Sequence, residues 1–569
     1  MSQEQKVTSR VGVKDIVTSK IGVLSVVGMF YALCCAGAYG IEEMIPEVGP
    51  GLTLVMLIVL PFVWALPYSY ICAELGSARP DEGGIMVWVK EALGEFWFGI
   101  MVFVNFIWGL VANTVYVVLA VSYLEKIIPG GFSGTVSMIL KITIVLIFFI
   151  INIIGIKEVS ITSTILSILV VVAFAIVAVV GFAHWNFNPI EPFMSDAYDG
   201  DLFRTIGAGL AIGMWMYSGF DQISTMAGEI KDSHRVIPKA LMIVIPLMII
   251  TYVIPTAAGL ASIGDWAEWT TEIDGVGYAE VLFEYGGTAL GIFFICVAII
   301  GQCSIFNMCV ATAARSSLIL SDEHFGPKVL AKLRRKKGSP YVSLTVVAIV
   351  TAALLPFDFK FLVVIDVFFC VLVCALTVIS AAILKRRIPA SEIPFKVPGG
   401  RVGHTICVAL VLIFCVALLL LNGSDYFFGG LLVIFVIPIL YILAKWAFKG
   451  LSKNDPKLYP IDSRTGLAFG DLTKIGGLYF ALGIFAIIAR YFLSWYEGSG
   501  WFGYDAEEAW WIWPDDYDMP LFGTFPGELQ AITVTGIVAV VIGVVLFIIG
   551  KRLSKNDADL LPQGKTQAH

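Results

Sequence analysis

The sequence is poor in charge: only 14% of its 569 residues are Asp, Glu, Lys or Arg, while 58% are hydrophobic. An ordinary soluble protein carries about 25% charged residues, so this composition argues against a soluble globule. Apolar runs such as 52–72, 160–182 and 240–261 are each long enough to cross a hydrocarbon layer of roughly 30 Å as a helix. Because these runs are continuous rather than alternating, they exclude a membrane β-barrel. The sequence therefore predicts an all-α polytopic membrane protein.

Residues suited to metal, phosphate or disulfide chemistry are also scarce. The five histidines are scattered without a pair at helical spacing, which argues against a metal site and an integral-membrane enzyme. The absence of a Walker-type glycine loop argues against ATP-driven transport. All ten cysteines fall in apolar runs, as unpaired core residues do. No catalytic residue, metal, cofactor or nucleic-acid partner is predicted, nor is a cleavable signal peptide.

Fourteen apolar segments are predicted to span the membrane. Their limits are 22–45, 51–76, 96–124, 134–155, 160–183, 205–228, 239–263, 287–318, 341–357, 361–384, 405–422, 427–447, 474–495 and 529–550. The predicted divisions of the chain are an N-terminus (1–20), a twelve-span body (21–447), a connector (448–473), two additional spans (474–550) and a tail (551–569).

The distribution of Lys and Arg predicts the orientation of the chain. Segments after even-numbered spans are basic, as at 231–239, 328–338 and 385–396. The opposite loops at 264–287 and 496–528 contain acids but no Lys or Arg. Because basic loops stay in the cytoplasm, both termini and the connector are expected there, in a multi-pass protein of the plasma membrane.

Two predicted spans are interrupted by glycine and then by acids. Span 1 contains GAYGIEE (37–43), and span 6 contains GMWMYSGFDQISTMAGE (213–229), broken at Gly219. Glycine permits non-helical dihedral angles, and the backbone groups freed at membrane depth are tolerated only where they are buried or line a cavity. Interrupted helices five spans apart indicate a transporter built from inverted repeats, here about 21–185 and 204–385.

Four acids in these apolar segments are candidates for ion coupling: Glu42, Glu43, Asp221 and Asp366. An acid at the centre of a membrane helix is costly, at about 2.5–3.5 kcal/mol, so it usually has a partner or a function. Asp366 fits a proton carrier, a substrate contact or a member of a salt bridge. Alternatively, the glutamate pair simply reaches the outer interface, and the glycines serve close helix packing.

Several motifs, in order, resemble the amino acid–polyamine–organocation (APC) transporter superfamily, and within it the branch of polyamine and amino acid permeases. The motifs are GAYGIEE (37–43), AELGSARPDEGGIMVWVKEALGEFW (73–97), NTVYVVLAVSYL (113–124), GFDQISTMAGEIKDSHRVIPKAL (219–241) and IPFKVPGG (393–400). The resemblance covers about 15–447. It implies a leucine-transporter-like core of five-plus-five inverted-repeat helices, with the substrate bound between broken spans 1 and 6.

The resemblance also implies roles for particular residues. The unwound part of span 1 would offer backbone donors to a substrate carboxylate, and the break in span 6 would offer carbonyls to an ammonium; these segments are Gly37, Ala38, Tyr39 and Gly40, and Ser218 and Gly219. Trp215 would cover the substrate, with Asp221 linked to recognition or coupling; the alternative is that Trp215 merely packs against a neighbouring helix. Asn113 matches an asparagine of the polyamine branch. The preceding position, often aspartate in the plant proteins, is Ala112.

We therefore predict a secondary active transporter that moves an amine-bearing solute, an amino acid or a polyamine, by alternating access with proton coupling or exchange. The alternatives are an antiporter of the glutamate–GABA type, a sodium-coupled amino acid symporter using hydroxyls such as Thr312, Ser316 and Ser317, and a membrane receptor or complex subunit. Glu74 and Glu229 are candidates for gate salt bridges. The expected partners are a small-molecule substrate and the lipid bilayer, with the two additional spans available for oligomer or partner contacts.

Overall fold

The computed structural model describes residues 23–35, 37–79, 84–128, 130–154, 159–219, 233–333, 339–496 and 528–555. Within these ranges the regular structure is helical. The α-helices are α1 (Val23–Cys34), α2 (Ile45–Val48), α3 (Pro50–Leu60), α4 (Leu66–Ala78), α5 (Ile85–Leu93), α6 (Glu95–Glu125), α7 (Gly134–Ile154), α8 (Val159–Ala183), α9 (Leu202–Met216), α10 (Ser233–Ser262), α11 (Tyr278–Val281), α12 (Thr288–Asp322), α13 (Tyr341–Leu354), α14 (Phe359–Arg387), α15 (Gly400–Leu421), α16 (Ser424–Phe448), α17 (Asp471–Tyr496) and α18 (Glu528–Lys555).

Ten helical segments among the described residues are long and apolar enough to cross a membrane. They are the continuous helix Pro50–Ala78, formed by α3 and α4 with a π-helical turn between them, and the long helices α6, α7, α10, α12 and α14 to α18. This confirms the all-helical polytopic class. The other four predicted spans contain α8 and the shorter helices α1, α9 and α13, of 12, 15 and 14 residues. The count of fourteen remains a prediction.

Helix α6 lies at the centre of the molecule and runs antiparallel to α12. A Cβ on Gly109 of α6 would lie 3.2 Å from the Cβ of Ala313 on α12, so small residues let the two backbones approach closely. Farther along the pair, the rings of Tyr123 and Phe294 lie 6.4 Å apart between centroids. These two contacts fix the register of α6 against α12.

The pair α17–α18 is held by glycines on both helices. A Cβ on Gly483 of α17 would lie 2.6 Å from the backbone oxygen of Gly536 on α18. Gly476 and Gly543 face each other in the same way, about two helical turns farther along the pair. Backbone-to-backbone packing of this kind is how helices associate in lipid, where the hydrophobic effect does not drive them together.

The segment between α16 and α17 docks against the beginning of α6. The Nζ atom of Lys445 lies 2.6 Å from Oε1 of Glu95, and the backbone N–H of Leu451 donates to the same oxygen at 2.9 Å. The hydroxyl of Tyr441 donates to Asp471 at the start of α17, at 2.5 Å. Buried polar contacts therefore tie the last two helices to the rest of the chain.

Candidate functional site

The first predicted break is present in the structure. Helix α1 ends at Cys34, and the chain does not resume helical geometry until a short 3₁₀ turn, Ile41–Glu43. Gly37 and Gly40 have φ angles of 108° and 92°, values that favour glycine over any residue with a side chain. The pattern of glycines in GAYGIEE thus predicts the interruption correctly.

Helix α9 ends at Met216, at the position of the second predicted break. Gly219 has a φ of 99°, and the hydroxyl of Ser218 donates to the backbone oxygen of Trp215 at 2.8 Å. The carbonyl oxygen of Met216 accepts a hydrogen bond from the hydroxyl of Tyr252 at 2.8 Å. The predicted acid of this break, Asp221, lies outside the described residues.

The first break and the end of α9 meet at a cavity of about 80 Å³ lined by residues of α6, α12 and α14 and of the ends of α1 and α9. Five of the predicted site residues line it: Tyr39, Trp215, Ser218, Gly219 and Asp366. Gly37, Ala38 and Gly40 are buried beside it without forming its wall. Residues far apart in the chain therefore converge on one internal space at the interrupted helices.

Asp366 is the described acid of the cavity wall. It projects from α14, is 4% exposed, and accepts a hydrogen bond from Nε1 of Trp108 on α6 at 2.9 Å. The indole N–H donates to one oxygen of the carboxyl group and orients it in the cavity wall.

Aromatic rings form the wall of the cavity near the break in α9. The rings of Trp215 and Tyr116 lie 5.8 Å apart between centroids, and the ring of Phe359 meets Trp215 edge-on at 5.4 Å. Trp215 thus packs against neighbouring helices and lines the cavity at once. Rings in this position can hold a cationic or apolar solute against their faces.

Asn113 does not form part of the cavity wall. It is fully buried in α6, and its amide nitrogen donates to the backbone oxygen of Gly109 one turn earlier. Its neighbour Ala112 lines the cavity instead. The geometry gives Asn113 a local helical contact.

Glu42 and Glu43 both have partners close to the first break. Glu42 is 1% exposed and accepts hydrogen bonds from the Tyr123 hydroxyl at 2.5 Å and from the backbone N–H of Gly40 at 2.9 Å. One oxygen of Glu43 accepts three hydrogen bonds, from the Thr270 hydroxyl at 2.7 Å and from the N–H and hydroxyl of Thr271 at 2.7 and 2.6 Å. Neither glutamate lines the cavity.

The contacts of Glu43 fasten a loop over the break. Lys126, directly after α6, reinforces them, because its ammonium donates to the backbone oxygen of Thr270 at 3.1 Å and to Glu280 at 3.1 Å. The loop is the acidic segment 264–287, predicted to be outside the cell. We refer to Glu43, Lys126 and their partners in this loop as the outer clasp.

At the opposite end, Glu74 forms the predicted ion pair. Its carboxylate pairs with Lys385 of α14 and lies 2.8 Å from Nδ1 of His404 on α15. The carboxylate is 2% exposed. Glu229, the other predicted gate acid, lies outside the described residues.

Two of the three hydroxyls proposed for a sodium site line the cavity, and the third does not. Thr312 and Ser316 line the cavity, and each donates to a backbone oxygen of α12, at 3.0 and 3.3 Å. Ser317 instead donates to the oxygen of Ala313 at 3.0 Å and does not form part of the wall.

Trp108, Tyr116 and Gln302 also line the cavity and are not among the predicted site residues. Helices that are apolar all around carry no periodic signal of which face turns inward. An aromatic or amide side chain within an apolar run is the single available hint.

Comparison with known proteins agrees with this architecture. A family model described as "Amino acid permease" matches residues 21–455. The chain is 26% identical over 413 residues to a probable polyamine transporter of Arabidopsis thaliana, covering 70% of this chain and 78% of the relative. It is 24% identical over 392 residues to the polyamine transporter PUT1 of Oryza sativa subsp. japonica, with coverage of 69% and 71%. It is 26% identical over 478 residues to the branched-chain amino acid permease BcaP of Bacillus subtilis (strain 168), with coverage of 77% and 94%.

The family match covers most of the chain and coincides with the helices that build the cavity. The paired breaks, the internal cavity and the apolar helices all fit a carrier of small solutes. The chain therefore belongs to the amino acid permease family within the APC superfamily, and it is a multi-pass membrane transporter rather than an enzyme.

Proposed function

We propose that this protein is a secondary active transporter of amine-bearing solutes, amino acids or polyamines, and that the cavity at the two breaks is its binding site. The observation that carries the proposal is Asp366, a carboxylate buried in the cavity wall and oriented by Trp108. The relatives named above as polyamine transporters and as an amino acid permease support the same class of solute.

An ammonium suits this cavity for two physical reasons. A buried carboxylate is strongly stabilised by a cation that also donates hydrogen bonds to it. The faces of Trp215 and Tyr116 add cation–π attraction, which gains strength where water is excluded. An anion would meet Asp366 unfavourably in the same space, so anionic solutes are excluded as the main substrates.

The interrupted backbone supplies the remaining contacts. Apart from the Gly40 N–H, which bonds to Glu42, we propose that donors freed between Gly37 and Gly40 serve a substrate carboxylate. Carbonyls near Ser218 and Gly219 would serve an ammonium, with Asp221 as the second acid of that break. We propose that these segments belong to inverted repeats at about 21–185 and 204–385 in a five-plus-five core. Alternating access would then move one repeat against the other.

We propose that the chain has the membrane orientation predicted from its basic loops. Both termini lie in the cytoplasm, fourteen spans cross the plasma membrane, and the outer clasp closes the site from outside. Glu43 and Lys126, with their loop partners, hold that closure. Glu74 with Lys385 then belongs to the inner gate.

Proton coupling or exchange is the proposed energy source. The hydrogen bonds that Glu42 and Glu43 accept stabilise the first break and the outer clasp. Asp366 and Asp221 are therefore the stronger candidates for a proton carrier. A sodium-coupled mechanism would instead use Thr312 and Ser316, whose hydroxyl oxygens still have lone pairs for a cation.

Thermal unfolding of the purified protein tests the role of Asp366. An amine at about a hundred times its Kd should add about 2.7 kcal/mol to the stability of the wild type. Asp366→Asn should lose this stabilisation across amino acids, diamines and polyamines. Asp274→Asn, an exposed acid of the outer loop, is the matched control and should keep it. Equal stabilisation of the Asp366→Asn variant and the wild type removes Asp366 from the binding site.

Uptake into proteoliposomes tests the carrier mechanism. Saturable, competable uptake of labelled amine that responds to an imposed proton gradient, or to amine loaded inside the vesicles, is the expected result. Dependence on a sodium gradient would select the sodium-coupled alternative. Binding without flux, or flux at the rate of a channel, would contradict a secondary transporter.

A further inference from the structure

The proposed function leaves the two additional helices, α17 and α18, without a role, although one of them contacts the half-helix α9. Tyr496, the last residue of α17, is 7% exposed. Its hydroxyl donates to the backbone oxygen of Leu421 on α15 at 2.8 Å and shares that proton with the backbone oxygen of Arg204 on α9 at 3.3 Å. A residue beyond the family match, which ends at 455, therefore reaches the helix that leads to the cavity.

The contact of Tyr496 with α9 leaves no free space between them. A Cβ on Gly207 of α9 would overlap the hydroxyl oxygen of Tyr496 and would lie 2.6 Å from the backbone oxygen of Leu421. The glycine thus lets the tyrosine and the end of α15 meet the backbone of α9 directly. At this level α9 cannot shift toward α15 or α17 without displacing the tyrosine.

Tyr496 joins a helix inside the proposed repeats to helices outside them. Helix α9 belongs to the second proposed repeat, at about 204–385, whereas α15 and α17 follow it in the chain. Leu421 is the last residue of α15, and the carbonyls at the end of a helix have no partner within it. The tyrosine hydroxyl supplies that partner and at the same time ties α15 to the beginning of α9.

The other contacts of α9 connect this point to the binding site. A Cβ on Gly209 would lie 2.6 Å from Cγ2 of Val48 and 2.9 Å from Cε of Met44, which follow the first break. Arg204 and Trp215 of the cavity wall are eleven residues apart on α9, about 16 Å along the axis at 1.5 Å per residue. Because a helix is a rigid element, a contact at its beginning also acts on its end in the cavity wall.

We propose that Tyr496 is a positioning residue of transport, through which α17 holds the beginning of α9 and limits its movement away from the observed position. The additional helices then brace the carrier and slow its conformational change. This inference goes beyond the proposed function and uses from it only the movement of one repeat against the other in alternating access.

The test measures how fast a water-soluble maleimide alkylates Cys309 in the purified full-length protein, with peptide mass spectrometry to identify the site. Cys309 lines the cavity on α12, so its labelling rate reports access to the cavity. Tyr496→Phe keeps the ring and removes only the donor. It should raise the labelling rate of Cys309 about fivefold, the effect of one hydrogen bond on the equilibrium between closed and open conformations.

Tyr479→Phe is the matched control for Tyr496→Phe. Tyr479 lies on the same helix, and its hydroxyl donates to the backbone oxygen of Phe435 on α16 at 2.7 Å. This variant removes the same kind of bond without touching α9, so it should label Cys309 at the wild-type rate. Cys415 of α15, 3% exposed and outside the cavity wall, should react at the wild-type rate in every variant.

Gly207→Ala disturbs the same contact from the side of α9, because the new methyl group must displace Tyr496. It should also raise the labelling rate of Cys309. Combined with Tyr496→Phe, it should raise the rate by less than the product of the two single effects, since both changes act on one contact.

The role of Tyr496 is overturned if Tyr496→Phe leaves the labelling of Cys309 unchanged or if Tyr479→Phe raises it equally. A parallel increase at Cys415 overturns it too, because the hydroxyl would then serve general stability. The labelling needs no substrate, so its result stands whether or not the protein takes up amines. Absence of amine uptake by the wild type would count against the proposed function alone.

Discussion

Gly40 shows at the scale of one residue how the first break is maintained. Its φ of 92° is unfavourable for a residue with a side chain, and a Cβ there would lie 2.6 Å from the ring of Phe359. The same Cβ would come within 3.3 Å of the ring of Trp215. The glycine therefore serves both the turn of the backbone and the space beside the cavity.

Gly40→Ala should impair both stability and transport. Left-handed geometry costs an L-residue about 1–2 kcal/mol, and the new methyl group must displace Phe359. The expected result is a lower unfolding temperature together with a loss of amine uptake by proteoliposomes.

Gly477→Ala is the matched control for Gly40→Ala. Gly477 lies in α17 with nothing within 4 Å of an added Cβ, so alanine there should stabilise the helix by about 0.5–1 kcal/mol. Transport by Gly477→Ala should be normal. Full uptake by Gly40→Ala would show that the break tolerates a side chain and that its glycine is dispensable.

Helix α14 is the element that connects the cavity to both ends of the molecule. It carries Asp366 in its interior, pairs through Lys360 with Glu47 near its start, and pairs through Lys385 with Glu74 near its end. A movement of α14 would therefore act on the binding site and on both sets of ion pairs together.

The Glu47–Lys360 pair predicts a dependence of stability on pH. Burial raises the pKa of Glu47, but the hydrogen bond and charge of Lys360 and the hydroxyl of Tyr198 outweigh it, and the pKa lies below its ordinary value of 4.5. A carboxyl with a depressed folded pKa stabilises the fold above the unfolded pKa. That contribution is lost as the pH falls below 4.5 through the folded value.

Glu47→Gln should therefore lower the unfolding temperature at pH 7, and the difference from the wild type should shrink in acid below pH 4.5. Lys360 is 44% exposed, so the effect should not exceed about 1 kcal/mol. Glu268→Gln, an exposed acid of the outer loop, should show no such difference at either pH. A constant difference at all pH values would assign the effect to packing rather than charge.

The sequence predicts the helices better than it predicts which side chains bond to one another across them. Hydropathy reveals a helix in every predicted span, and glycines in GAYGIEE reveal the first break. Apart from the Gly40 N–H, the donors to Glu42 and Glu43 come from Tyr123, Thr270 and Thr271, far away in the chain. No local pattern records such pairings, so these two acids resemble coupling groups until their partners are known.

Across the whole molecule, buried polar contacts hold the connector against the transporter body and join the body to the first additional helix. Lys445 of α16 is fully buried with Glu95 of α6, and Glu95 also holds the connector through Leu451. The match to the family model ends at residue 455, inside this connector. The sequence identifies the appended pair by its position and hydropathy, but the buried hydrogen bond from Tyr441 of α16 to Asp471 of α17 arises only from the folded arrangement.

Glu95→Gln should destabilise the protein by about 3–5 kcal/mol, because it leaves the charge of Lys445 buried without its partner. The double variant with Lys445→Met should recover much of that loss, as a double-mutant cycle of chemical unfolding would measure. Glu91→Gln breaks a partly exposed pair with Arg79 and should cost less than about 1 kcal/mol. Additive effects in the cycle would contradict a direct pairing of Glu95 with Lys445.

The glycine contacts between α17 and α18 have a consequence for the order in which the molecule is made. The contacts of Gly483 with Gly536 and of Gly476 with Gly543 are made within the pair and need no atom of the body. The two helices can therefore associate in the bilayer as soon as the second has been synthesised. They can then pack against the earlier helices as one preassembled hairpin.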